Sequence, residues 1–148
     1  MITTLVLKHL VPNKIKDAEI LYKNARYSSS IYMAGYAVEI ALKNKICRTL
    51  QFNLGFPETR QELATYLQRI NRNNPAPLNI NLGDIRNHNL STLLFYSGTE
   101  VRIKSILLNE WGVVTNWNPE NRYKKLRVTK AKNLEYLQAV KKIIKEIT

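Results

Sequence analysis

"SSIYMAGYAVEIALKNKICRTL", residues 29–50, is the most strongly periodic segment of this 148-residue chain. Its larger apolar residues recur every three or four positions, which predicts one buried face of an α-helix. Small side chains beside that face would allow a neighbouring helix to pack closely. The apolar face comprises Ile31, Ala34, Val38, Leu42 and Ile46, and the small residues are Gly35 and Ala41.

A second stripe of the same helix is aromatic and charged: Tyr32, Tyr36, Glu39 and Lys43. It is open to two interpretations. The stripe is one wall of a polar cleft, where tyrosine stacks on a base and Lys43 meets phosphate. Alternatively, the tyrosines pack between helices or at a dimer interface, and Glu39 and Lys43 form an i,i+4 surface pair. Because Glu39 has apolar neighbours, Lys43 is also a candidate counter-ion for a partly buried carboxylate.

The rest of the sequence predicts an all-α, up-and-down bundle of about five helices in a single domain, residues 1–148. Five glycines and five prolines are few, which favours long helices over a many-turned β structure. Residues 1–12 are predicted to be a core-packing arm or the first helix. Pro12 is expected to lie at the start of a helix. A serine of "RYSSS" is expected to cap the second helix, and Thr59 and Glu62 are spaced as a capping box.

Residues 73–85 predict an irregular loop, rich in asparagine and proline. We expect Asp84 or Asn87 to cap a third long helix through "LSTLLFYSG". A last helix, from about Lys130, presents one apolar face formed by Leu134, Leu137, Val140, Ile144 and Ile147. Cys47, Trp111 and Trp117 are predicted to be packed residues.

The positive net charge of the chain predicts a polyanionic partner. The chain has 23 Lys and Arg against 11 Asp and Glu, a formal net charge of +12. Such an excess favours nucleic acid, a nucleotide or an acidic protein, although positive charge also serves solubility. One cysteine and two distant histidines predict no zinc site, and no glycine-rich phosphate loop is present, so we expect no metal and no cofactor. With no secretory signal and no long apolar run, the chain is predicted to be cytoplasmic, without a membrane partner.

The densest basic segment is "RYKKLRVTKAK", residues 122–132, with six basic residues and no acidic one. It is a candidate phosphate-contacting patch, or else an exposed loop without a partner. The residues assigned to it as candidates for binding a nucleotide or RNA are Arg122, Tyr123, Lys124, Lys125 and Arg127.

Four patches, in order from about residue 16 to the end, resemble the HEPN domain family. They are "DAEILYKNARYSSSIYMAGYAVEIALK", "HNLSTLLFYSG", "WNPENRY" and "AKNLEYLQAVKKIIKEI". The resemblance implies a four-to-five-helix bundle, often a homodimer, that binds RNA or a nucleotide. It also implies a partner in the form of a minimal nucleotidyltransferase, in a toxin–antitoxin-type or related system.

Other members of that family are metal-independent endoribonucleases with an Arg-x4–6-His motif. This sequence departs from that motif, because the nearest arginines before His88 are Arg86 and Arg72, two and sixteen residues earlier. Arg86 and His88 would face the same side only on an extended loop, not on a helix. His88 is therefore either a nucleotide or RNA ligand or a helix-start residue bonded to a nearby carbonyl or carboxylate.

Three functions follow as hypotheses. The first is a binding module for RNA or a nucleotide, which uses Tyr36, Glu39, Lys43, His88 and the basic patch. The second is a degenerate ribonuclease or toxin, in which His88 is the acid/base and Arg86 or Arg122 stabilises the phosphorane. The third is a protein–protein adaptor whose basic surface meets an acidic partner.

Overall fold

The computed structural model describes residues 1–123 and 127–148, together with all side chains in those ranges except that of Arg122. The described residues form α-helices and one 3-10 helix, which confirms the predicted all-α class. The helices are α1 (Thr4–Lys23), α2 (Tyr27–Thr49), α3 (Arg60–Asn71), α4 (Leu82–Ile85), α5 (Leu90–Tyr96), α6 (Glu100–Ile106), α7 (Leu108–Val114) and α8 (Lys130–Ile147), with the 3-10 helix at Pro119–Tyr123.

α2 is the central helix of the bundle. Four residues of its predicted apolar face, Ala34, Val38, Leu42 and Ile46, are buried, and Gly35 and Ala41 are buried beside them. α1 and α8 both pack along α2 but contact each other only sparsely. This arrangement leaves a groove between α1 and α8.

The expected helix entry at Pro12 is wrong, and the alternative of a first helix over residues 1–12 is correct for most of that range. α1 begins at Thr4, where the Thr3 hydroxyl accepts a hydrogen bond from the Val6 amide, and it continues through Pro12. An internal proline removes one helical hydrogen bond. Burial of Leu7 and Val11 on the same helix offsets that loss.

The predicted serine cap of α2 is also wrong. α2 begins at Tyr27 after Arg26, which makes no side-chain capping bond. Ser30 lies inside the helix, where its buried hydroxyl donates to the Ala18 carbonyl at 2.7 Å and accepts from Asn133 Nδ2 at 3.1 Å. One hydroxyl therefore links α1, α2 and α8.

The capping box of α3 is confirmed. The Thr59 hydroxyl accepts from the Glu62 amide, and the Glu62 carboxylate accepts from the Thr59 amide. The expected loop at 73–85 is irregular up to its last turn, where α4 forms. The Asp84 carboxylate accepts from the Asn81 amide at 2.8 Å at the start of α4, a local pattern that the sequence analysis missed.

The predicted helix through "LSTLLFYSG" is present as α5, but it is not long, because residues 82–114 form four short helices. Asn89 caps α5, whereas Asp84 belongs to α4 and the Asn87 side chain accepts from the Asn89 amide. Gly98, at φ +72°, follows the end of α5, and Leu107, at φ −134°, separates α6 from α7. These breaks raise the helix count in the described residues above the predicted five.

α8 begins at Lys130 as predicted, with Thr129 as its cap. Its buried face includes the predicted Leu137, Val140 and Ile147 together with Ile143. Contrary to the prediction, Ile144 is only partly buried and Leu134 is 41 % exposed. At that end of the helix the buried residue is Asn133, whose side chain donates a hydrogen bond to the Ser30 hydroxyl. Within the two described ranges, no helix combines the length and apolar character needed to cross a membrane.

Candidate functional site

The site is built around a buried carboxylate. Glu39 is only 1 % exposed, and both of its oxygens have partners. Lys43 Nζ lies 2.6 Å from Oε1, and His88 Nδ1 lies 2.9 Å from Oε2. We call these three residues the Glu39 cluster. The expectation that Lys43 neutralises a buried Glu39 is confirmed, and the simple surface pair is excluded.

The two partners differ in exposure. The Lys43 side chain is 14 % exposed and its ammonium also lies 5.5 Å from the centre of the Phe56 ring, whereas the His88 side chain is 63 % exposed. A carboxylate only accepts hydrogen bonds, so Nδ1 of His88 carries the hydrogen and Nε2 is the nitrogen available to a ligand. Both interpretations of His88 are compatible with this arrangement, because it bonds a carboxylate and is exposed.

A cavity of about 500 Å³ adjoins His88. Apart from the imidazole, its polar lining consists of neutral hydroxyl and amide side chains. Such groups donate and accept hydrogen bonds without attracting a particular charge. The lining residues are His88, Asn89, Leu90, Ser91, Thr115, Asn116, Trp117, Asn118 and Pro119.

Trp117 brings one wall of this cavity against α2. Its indole Nε1 donates to the Tyr32 carbonyl at 3.2 Å. The ring also packs directly on Gly35, so closely that a Cβ at that position would lie only 2.2 Å from Trp117 Cδ1. Glycine is therefore required at position 35, but it admits a tryptophan ring rather than the neighbouring helix that we expected. Trp111 and Trp117 are both buried, as predicted.

Tyr36 lies one turn before Glu39 on the same side of α2 and is partly buried. Burial, and then the nearby Glu39 and Tyr32, raise the pKa of its phenol, while Lys14 acts in the opposite direction. The phenol accordingly stays protonated at neutral pH and retains a hydrogen to donate. The structure thus places Tyr36 beside the Glu39 cluster, as the stripe predicts.

Arg86 is not part of the cluster. It is exposed at the end of α4, in the irregular connection that also contains His88, and its side chain makes no hydrogen bond or ion pair with a described residue. Arg86 and His88 thus both lie outside the helices, but the backbone bends at residues 86 and 87 and is not the extended loop that an Arg86–His88 pair needs. The partner that orients His88 is Glu39.

The basic patch is described only in part. Arg122 and Tyr123 lie in the 3-10 helix, which packs against α2, and Tyr123 is 78 % exposed. Arg127 is exposed and lines a shallow cavity at the start of α2, whereas Lys124 and Lys125 lie outside the described residues. The structure therefore brings Arg122 and Tyr123 to the helix that carries Glu39.

Two features of the site were missed by the sequence analysis. The first is the identity of the carboxylate that bonds His88: it is Glu39, 49 residues away, and the only signal for it was an acidic residue within an apolar stretch. The second is the amide lining from Asn116 and Asn118, which flank the tryptophan of "WNPENRY". No group of three His, Cys, Asp or Glu side chains suited to a metal ion occurs among the described residues.

Comparisons of the chain with protein-family models, with curated proteins and with solved structures found no match.

Proposed function

We propose that this protein binds RNA or a nucleotide at the surface formed by the Glu39 cluster and the adjoining cavity. The observation that carries the proposal is the His88 ring, fixed by a buried carboxylate and exposed beside a cavity with neutral polar walls. An exposed imidazole suits a phosphate or ribose oxygen, and amide and hydroxyl groups suit the edge of a base. The net charge of +12 attracts a polyanion to the protein as a whole.

The HEPN-like resemblance supports the same surface. Its second patch supplies His88 and its third supplies Trp117, which both line the cavity. Its first patch supplies Glu39, which bonds His88, and Gly35, which adjoins the Trp117 ring. As part of the proposal, the protein is a cytoplasmic homodimer that works with a minimal nucleotidyltransferase in a toxin–antitoxin-type or related system.

Fluorescence anisotropy with labelled oligouridylate and oligoadenylate tests this function. We expect saturable binding at low salt that weakens steeply as salt is added, because phosphate contacts release counterions. His88→Ala should weaken binding by roughly tenfold, the scale of one lost hydrogen bond. The matched control is His9→Ala, since His9 is the other histidine and lies exposed on α1. Absence of binding at low salt to either oligonucleotide and to free nucleotides would overturn the proposal.

The second candidate function is metal-independent RNA cleavage, and the His88–Glu39 bond is the observation that favours it. An imidazole oriented by a carboxylate is the usual arrangement of a general base. In this reaction His88 Nε2 takes the proton of the 2′-hydroxyl as that oxygen attacks phosphorus, and Arg86 or Arg122 stabilises the phosphorane. The P–O5′ bond then breaks, which leaves a 2′,3′-cyclic phosphate, and the departing 5′-oxygen takes a proton from the His88 imidazolium.

Incubation of RNA with the protein in EDTA separates the two functions. Cleavage that His88→Ala abolishes and His9→Ala preserves supports the enzyme. Intact RNA in the presence of wild-type protein excludes it and leaves the binding function in place.

A further inference from the structure

A second cavity is the groove between α1 and α8, with a volume of about 1200 Å³. We call it the α1–α8 groove. Val11, Ile15, Cys47, Phe52 and Ile144 contribute apolar surface to its lining, and the floor belongs to α2 and the residues that follow it. The Glu39 cluster does not line it.

Cationic side chains surround this apolar lining. Lys8 and Lys16 project from α1, Arg48 from α2, and Lys141 and Lys145 from α8. Against these five cations the lining has one acidic side chain, Glu19, which pairs with Lys141. A ligand of this groove must therefore be apolar on one side and anionic at its edges.

The size of the groove favours a helix over a small amphiphile. Thr4 and Glu19 both line it, so it extends for roughly 22 Å along α1 at the helical rise per residue. An α-helix of that length and about 10–12 Å in diameter occupies roughly 2,000 Å³, so a half-embedded helix displaces about 1,000 Å³. Pockets for small molecules are generally smaller, about 300–1,000 Å³.

The packing of the bundle leads to the same occupant. α1 and α8 lie on α2 with few contacts between them, which leaves the position that a fourth helix occupies in a four-helix bundle. Leu5, at the end of the groove, is 64 % exposed and is available to pack against such a helix.

We propose that the α1–α8 groove binds an acidic amphipathic helix of a partner protein. A second copy of this chain is disfavoured, because it has the same net charge of +12 as the groove it would enter. Nucleic acid is disfavoured, because its phosphates gain nothing from an apolar floor. The proposal is independent of the Glu39 cluster and of any nucleic-acid function.

The test uses the full chain and a fluorescent designed peptide of about 16 residues, or four to five turns. Leucines occupy one helical face of the peptide and glutamates flank them. We expect saturable binding, a gain of helical circular dichroism on binding, and no binding of a scrambled peptide of the same composition.

Two variants separate charge from apolar contact. Lys8→Glu with Lys16→Glu should weaken binding by roughly tenfold at low salt, while Lys130→Glu with Lys132→Glu, an equal charge change outside the groove, should not. Leu5→Lys adds a cation but removes apolar surface, so we expect it to weaken binding by roughly tenfold as well.

Several results would overturn the proposal. Unchanged or tighter binding by Leu5→Lys would show attraction by charge alone. Displacement of the peptide by oligouridylate would make the groove a nucleic-acid surface. If sedimentation shows that the wild type is a dimer and that Leu5→Lys converts it to a monomer, the groove is the interface with a second copy of the chain. Equal binding of the scrambled peptide would also exclude a helix-specific groove.

Discussion

Two ion pairs in this protein share their spacing and their length but not their surroundings. Glu39–Lys43 in α2 and Glu100–Lys104 in α6 both join residues four positions apart at 2.6 Å. The side chains of the first pair are 1 % and 14 % exposed, and those of the second are 32 % and 46 % exposed. Sequence spacing therefore identifies both pairs, while only the fold distinguishes them.

The difference matters because water determines what an ion pair contributes. An exposed pair exchanges good hydration for a screened attraction and adds little stability. A buried pair has already lost its hydration, so removal of one partner leaves the other charge without compensation. The Glu39 carboxylate also bonds His88, so the same side chain stabilises the fold and orients a residue of the candidate site.

The largest expected effect is that of Glu39→Gln. It leaves the Lys43 ammonium without its carboxylate, so the free energy of unfolding should fall by about 3 kcal/mol. Glu100→Gln is the matched control, with an expected loss below about 0.5 kcal/mol. Urea denaturation followed by circular dichroism measures both. Similar losses in the two variants would contradict the distinction between the pairs.

The second prediction compares two helical glycines. A Cβ at Gly35 would stand 2.2 Å from the Trp117 ring, whereas a Cβ at Gly112, within α7, would meet nothing within 4 Å. We expect Gly35→Ala to destabilise the fold by about 2 kcal/mol through displacement of Trp117. Gly112→Ala should stabilise it by up to about 1 kcal/mol, as alanine does in a helix. Thermal unfolding tests both signs, and a stabilising Gly35→Ala would refute the close approach.

The third prediction concerns Cys47, on the lining of the α1–α8 groove. Burial raises the pKa of its thiol to about 12, from an ordinary value of 9.0. The neutral thiol is thus favoured by the fold, so its stabilising contribution is complete below pH 9.0 and is lost as pH rises towards 12. Between pH 8 and pH 10, the free energy of unfolding of the wild type should fall by about 1 kcal/mol more than that of Cys47→Ala.

Alkylation gives an independent measurement of that thiol. Native protein at pH 8 should react with iodoacetamide far more slowly than urea-unfolded protein, because the thiolate is the nucleophile. Equal rates, followed by mass spectrometry, would show that Cys47 is accessible.

The smallest effect is expected for Leu134→Lys. Leu134 is exposed on α8, although its spacing matches the apolar face, so the change should alter stability by less than about 0.5 kcal/mol. Leu137→Ala, one turn later and buried, should cost about 3 kcal/mol. Urea denaturation of the two variants shows which face of α8 is buried.

Local chemistry explains which parts of the fold the sequence predicts. The apolar face of α2, the capping box of α3 and the start of α8 depend on residues within a few positions of each other, and all three are confirmed. The course of α1 through Pro12 was not predicted, because burial at Leu7 and Val11 outweighs a local rule.

The candidate site follows the same division. The stripe through Tyr36, Glu39 and Lys43 is a local pattern and was predicted as a unit. The contact with His88 depends on how α5 is placed against α2, and the position of Trp117 depends on the absence of a side chain at Gly35. Neither relation has a periodic signal, so both needed the structure.

Pro12 has a consequence for the alignment of any helix along the α1–α8 groove. Proline has no amide hydrogen, so the carbonyl of Lys8, four residues earlier, lacks its i+4 donor. Lys8 and Pro12 both line the groove. That wall therefore lacks one i+4 backbone hydrogen bond at one fixed height among its cations, and a partner with a hydrogen-bond donor at the matching position would favour a single register along the groove.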